Sequence, residues 1–198
     1  MIQYSNVLFF GNSITRHAPA PELGWHGDWG MAASAEENDY VHVLMRKLRE
    51  AKPDLSFAAR TIADFERKFW EYDLERLADA RACPADLTIF RIGENVDAKE
   101  ADARGFGRHF LRLMEYIGPN PEAALCVGSF FNHPSANRQM KEAAAEFGCE
   151  YLDISHLDAD EYKAIGLFEH EGVAAHPCDR GMKAIAEAIW DALKKNRA

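Results

Sequence analysis

Five short apolar runs, interleaved with segments of helical period, constrain this chain more than any other feature of it. Val7 to Phe10, Leu55 to Ala59, Asp86 to Ile92, Leu125 to Phe130 and Glu150 to Ile154 have the length and residue types of strands. Tyr40, Val43, Leu44 and Leu48 recur at helical spacing, with Asp39 as a cap and Pro53 as a stop. Phe106, Phe110, Leu113, Met114 and Ile117 form a second stripe, closed by Gly118-Pro119. Residues 136–147 and the stripe Met182, Ile185, Ala186, Ile189, Leu193 read as further helices, and Phe65, Phe69, Leu74 and Leu77 as one face of a helix or helix pair. Strands that alternate with helices feed parallel sheets, because a parallel connection needs a crossover. The expected fold is therefore α/β: a doubly wound (flavodoxin-like) three-layer sandwich around a five-stranded parallel sheet.

The 198 residues suit a single domain with a core of its own. Lys plus Arg total 23 against 32 for Asp plus Glu, a net charge of −9, and no basic stripe with interleaved aromatics appears. That balance argues against a nucleic-acid partner. No apolar run approaches a membrane span. Cys83, Cys126, Cys149 and Cys178 are widely spaced without a C-x-x-C pair, which suits a reducing compartment. With the first strand near the amino terminus and no signal-like segment before it, the expectation is a cytoplasmic chain; a leader cleaved beforehand would leave the same picture.

The carboxyl ends of strands are where open α/β sheets keep their chemistry. Ser13 follows the first strand in Gly11-Asn12-Ser13-Ile14-Thr15, Asn95 follows the third in Gly93-Glu94-Asn95, and His176 lies in the irregular stretch after the fifth. Taken singly, these residues read as a helix cap, an Asx turn and a surface histidine. Together they supply what acyl transfer needs: Ser13 as nucleophile, His176 as base, and the Ser13 N–H and Asn95 amide as oxyanion donors. An irregular segment from His17 to Asn38, holding Trp25 and Trp29, follows the serine. Its tryptophans are either packing anchors or a substrate wall, and Glu94 is a further contact at the rim or a solvated side chain. His17, His26, Asp28 and His42 match no zinc spacing, so no metal is expected.

These blocks resemble those of the SGNH (GDSL-type) hydrolases, in the same order along the whole chain. Gly11 to Thr15 is similar to the family's first block, with Asn12 where Asp is commoner, and Gly93-Glu94-Asn95 to its Gly-x-Asn block. His176-Pro177, followed by Gly181-Met182, is similar to its last. The resemblance implies a serine hydrolase of small acyl esters working through an acyl-enzyme, with no cofactor. Carbohydrate O-acetyl esters are the first expectation. Thioester or lipid-type acyl substrates, and a non-catalytic binding module on the same scaffold, are the alternatives. Two departures stand out. The glycine of the family's second block is missing from Thr61-Ile62-Ala63-Asp64, which leaves Ala63 as the third oxyanion donor. Val173 occupies the place of the acid three residues before the histidine. Glu171, with Gly172 to bend the loop, is the expected substitute; a backbone carbonyl is the other possibility. Asp179 is expected to cap the last helix.

Overall fold

The computed structural model describes residues 4–83 and 85–195. Five parallel strands run β1 (Asn6–Gly11), β2 (Ser56–Thr61), β3 (Leu87–Arg91), β4 (Ala124–Val127) and β5 (Glu150–Leu152), in the spatial order β2-β1-β3-β4-β5. That is the doubly wound, flavodoxin-like order. Helix α1 (Tyr40–Ala51) joins β1 to β2, and α2 (Ala63–Arg67) and α3 (Ala78–Arg81) lie between β2 and β3. Helices α4 (Ala98–Arg104), α5 (Phe106–Ile117) and α6 (Pro134–Phe147) follow, and α7 (Glu171–Ala174) and α8 (Asp179–Lys195) close the described chain.

Alternation along the strands divides the core in two. Val7 and Phe9 of β1 and Leu87 and Ile89 of β3 pack with α1 and α8 on one face. Leu8 and Phe10 of β1, with Phe90 of β3 and Cys126 of β4, pack with α2 through α6 on the other. Each fully buried large side chain adds about 1.5–3 kcal/mol, so the two layers carry most of the stability. The order of strands reverses direction between β1 and β3. The chain leaves β1 toward α1 on one face and leaves β3 toward α4 on the other, opening a crevice at their carboxyl ends.

The structure differs from the expected elements at the fourth strand and the Phe65 stripe, each for a local reason, as well as at the fifth strand, which stops at Leu152, and in the irregular stretch before His176, which holds α7. The fourth strand stops at Val127 instead of running to Phe130, because side chains take over its backbone donors. Asn137 Oδ1 accepts from Ser129 N at 2.9 Å and Glu94 Oε1 from Phe130 N at 2.7 Å. The stripe Phe65 to Leu77 breaks into two short helices and a turn. Asp73 accepts from Glu75 N at 3.0 Å and restarts the chain after α2 has ended.

Gly11 allows the chain to double back at the end of β1. A Cβ there would come 1.8 Å from Thr15 Oγ1, which is buried and hydrogen-bonded to the Tyr40 hydroxyl at 2.7 Å. Thr15 cannot swing aside without stranding that hydroxyl. Gly11→Ala is therefore expected to cost about 1–3 kcal/mol, the range for overpacking a filled core. Urea unfolding of the two proteins measures it, and an unchanged midpoint would refute the close approach.

Candidate active site

The turn after β1 is built by its own backbone. Asn12 O accepts from the N–H of Thr15 at 2.9 Å and of Arg16 at 3.0 Å, and Ser13 O accepts from Met31 N at 2.8 Å. Ala32, next along, holds φ 74°, a left-handed conformation that a side chain adopts only under constraint. Ser13 is thereby presented at the crevice. Its Oγ lies 2.7 Å from His176 Nε2, across 163 residues of sequence. The other ring nitrogen, Nδ1, lies 2.6 Å from the carbonyl oxygen of Gly172. A carbonyl only accepts, so Nδ1 carries the proton and Nε2 is the lone-pair nitrogen facing the serine. Burial lowers the His176 pKa from its ordinary value, which favours the neutral ring.

Glu171 does not reach this imidazole. It is exposed at the start of α7, and the chain between it and His176 is wound into that helix, with Ala175 N bonded to Glu171 O. The winding turns the Gly172 carbonyl, instead of a carboxylate, toward the ring. Glu169 is exposed as well. Asp179 lies in the first turn of α8, but its carboxylate goes to Ser34: the Ser34 N–H donates at 2.8 Å and its hydroxyl at 2.6 Å. It ties the long loop to α8.

Asn95 and Ala63 line the same cavity as Ser13 and His176, a space of about 420 Å³. Ala63 opens α2, where N–H groups have no intrahelical acceptor. Among the described residues no acceptor takes the N–H of Ser13 or of Ala63. The remaining sequence candidates lie elsewhere. Trp25 is buried at 3% exposure against Met31 and Val173, with its indole N–H donated to His17 O at 3.1 Å. It is a packing anchor for the loop. Trp29 packs edge-on against it at 5.6 Å and lines a different recess. Glu94 is not at the rim: its side chain is 5% exposed and paired with Arg91 at 2.8 Å. His42 is paired with Asp39 and Asp28 with Arg16, and no cluster of potential metal ligands occurs among the described residues.

Beneath the site lies a polar layer that the motifs do not reveal. Arg91, fully buried at the end of β3, donates through Nη1 to Glu94 Oε1 and through Nη2 to Asn12 Oδ1 at 3.1 Å. Asn12 Nδ2 donates to Glu94 Oε2 at 2.5 Å and to Glu66 Oε1 at 3.1 Å. Glu66, also fully buried, in turn accepts from Gly93 N at 2.6 Å and from Asn95 Nδ2 at 2.9 Å. A charge inside the apolar run Leu87 to Ile92 was the one sequence sign of this layer, since a buried guanidinium requires partners. Nothing about Glu66, between Phe65 and Arg67 on a short helix, distinguished it from a surface side chain.

The layer also explains Asn12. An amide has two donors for two carboxylates and an acceptor for Arg91; a carboxylate would have none of the former. Neither a protein-family profile nor a curated protein sequence matches the chain. Solved structures do. A two-domain esterase (CEX) active on acetylated mannans, co-crystallised with mannopentaose, superposes with a TM-score of 0.62 at 19% identity, over 97% of this chain. It covers 49% of that protein, so the chain spans about half its length. A variant of Axe2, an acetyl xylan esterase from Geobacillus stearothermophilus, gives 0.57 at 16% identity, over 98% of this chain and 94% of that one. LAE5, an α/β hydrolase from the metagenome of Lake Arreo, gives 0.59 at 17%, over 98% and 97%. The chain has the fold of these enzymes.

Asn12→Asp is expected to destabilise the protein by about 3–5 kcal/mol, because it places a third carboxylate against Glu66 and Glu94 with one buried cation to share. The new carboxyl would titrate above its unfolded value. The deficit should therefore shrink as pH falls from about 8 to about 5, where a proton restores one donor. Denaturant melts at the two pH values test both the size and the sign.

Proposed function

We propose that this chain is an SGNH-type serine hydrolase that removes small acyl groups, acetyl foremost, from carbohydrate esters. The observation that carries the reading is the 2.7 Å contact from Ser13 Oγ to His176 Nε2, with Nδ1 anchored on the Gly172 carbonyl. Ser13 Oγ attacks the ester carbonyl while its proton passes to Nε2. The N–H groups of Ser13 and Ala63 and the Asn95 amide receive the oxyanion. Collapse expels the sugar alkoxide, which takes the proton from the imidazolium and leaves an acyl-serine. Water, deprotonated by the same nitrogen, attacks that ester; the acyl–Oγ bond breaks, Oγ takes the proton back from the imidazolium, and the carboxylic acid departs. The unit is a Ser-His dyad, with the main chain in place of an acid.

The carbohydrate half of the proposal rests on the superposed esterases and on the shape of the surface. The Ser13 cavity shares Arg16, Ala18 and Thr61 with a recess of about 350 Å³, and that recess shares Arg16, Asp28 and Arg60 with one of about 560 Å³. Trp29 and His42 line the last. A trench edged by planar polar groups and an indole suits a chain of sugar rings better than an acyl tail. No helix among the described residues is long and apolar enough to cross a membrane.

Ser13→Ala is expected to lower kcat on p-nitrophenyl acetate by about 10⁴-fold or more with folding intact, as for other serine nucleophiles. Glu171→Gln and Glu169→Gln should each stay within about twofold of wild type, the scale of an exposed substitution. A large loss in either glutamine variant would restore an acid to the site. Arg16→Ala, which removes a side chain common to all three recesses, is expected to raise KM for an acetylated oligosaccharide about tenfold, the equivalent of about 1.4 kcal/mol. Its kcat/KM for p-nitrophenyl acetate should hold within about twofold; equal losses on both substrates would argue against the trench.

A further inference from the structure

Asn95 is held at both ends of its amide. Its Oδ1 accepts from Arg67 Nη2 at 3.0 Å, and its Nδ2 donates to Glu66 Oε2 at 2.9 Å. Those two bonds fix which end of the amide is nitrogen and leave one N–H of Nδ2 uncommitted on a side chain that lines the cavity. Glu66 also accepts, on Oε1, the backbone N–H of Gly93 at 2.6 Å and of Asn95 at 3.3 Å, together with Asn12 Nδ2. Gly93 there has φ 125°, a conformation other residues rarely adopt. Four N–H groups converge on one buried carboxylate, and none of the four belongs to a cation.

We infer that Glu66 is the positioning residue of the oxyanion hole, acting through Asn95, and that it performs this role only as the carboxylate. The inference rests on the hydrolase reading above. Oε1 already receives three donors, so a proton taken up by Glu66 goes to Oε2. There it meets the Asn95 Nδ2–H, and two donors face each other. The amide must then turn over and offer Oδ1 to the new hydroxyl. Its nitrogen would swing toward the Arg67 guanidinium, itself a donor, and the uncommitted N–H would be lost.

The charged groups around Glu66 are few. Glu94, from the loop after β3, is linked to it through Asn12; Arg91, from β3, is committed to Glu94; Arg67, on the same helix, is committed to Asn95. His176, from the loop before α8, lines the same cavity as Asn95. Burial and the neighbouring Glu94 push Glu66 up to about 7, against the pull of its hydrogen bonds. His176 is held below its ordinary value. The acid limb of kcat/KM then belongs to Glu66: activity is full above its pKa and lost as pH falls through about 7.

The test is the pH dependence of p-nitrophenyl acetate hydrolysis by the full chain, from about pH 5 to about pH 9, for wild type, Glu66→Gln, Asn95→Ala and the double variant. Each single variant is expected to lose about 10²–10³-fold in kcat with KM little changed, the cost of an oxyanion donor. The double variant should be no worse than Asn95→Ala, because the two act in series. In both single variants the acid limb should move down to the lower value of His176. A merely structural Glu66 would give losses that multiply and a limb that stays near 7, and that result overturns the inference while wild-type turnover upholds the hydrolase reading. Should Glu66→Gln fail to fold, the shift of the limb in Asn95→Ala alone decides. A wild type without esterase activity would remove both proposals together.

Discussion

A guanidinium locked inside the sheet sets the terms for everything around it. Arg91 has no exposed surface, sits at the end of the central strand, and lies 5.6 Å from the ring of Tyr40 on α1. Stripping such a group of water costs several kcal/mol unless its neighbours replace the lost hydrogen bonds. Glu94 and Asn12 do so at Nη1 and Nη2, while Nε is left without a partner among the described residues, and in doing so they bind the turn after β1 to the turn after β3. Glu66 extends the link to α2. Three segments distant in sequence are thereby tied into one hydrogen-bonded network, which reaches the cavity through Asn95 and the backbone next to Ser13.

The topology supplies the opening and the polar layer supplies its precision. At the β1/β3 reversal the chain departs in opposite directions, so a crevice forms whatever the side chains are. A crevice alone would leave the loops that carry Ser13 and Asn95 free to drift. Here the backbone of each loop is tied to a side chain from another: Phe130 N to Glu94, Gly93 N to Glu66, Ser34 N to Asp179. Placement to a fraction of an ångström is what the proposed oxyanion stabilisation would require of such groups.

Much of this architecture is legible in the residues. Period and length were enough for five strands and their helices, because burial on two faces leaves an unmistakable apolar pattern. The strand ends then indicated Ser13, Asn95 and His176, whose side chains or near neighbours the structure brings around one cavity. Three readings went astray for one reason each. Glu171 was weighed by reach in an extended loop, and the loop is a helix. Trp25 was weighed by closeness in sequence to Ser13, while the fold-back bridges His17 to Trp29 and Ala20 to Trp25 make it a packing anchor and set Trp29 on a neighbouring recess. Glu94 read as solvated because charge usually is, and only the buried Arg91 reverses that. Glu66 was invisible, since the partners that define it lie in two other segments, the turns after β1 and β3.

The carbonyl on His176 has a consequence for heredity. A side-chain acid is one codon, and any change to it is felt at once. The Gly172 oxygen belongs to the main chain and is present whichever residue the codon specifies; only the winding of α7, started where Ala174 N bonds to His170 O, must persist. A substitution scan through this segment would find Val173 sensitive for its packing and Glu171 indifferent, and would meet no residue marked as the third member of a triad. Comparison of sequences column by column would pass over the orienting group in the same way. That part of the machinery is inherited as backbone shape, and a search for it has to be made in coordinates.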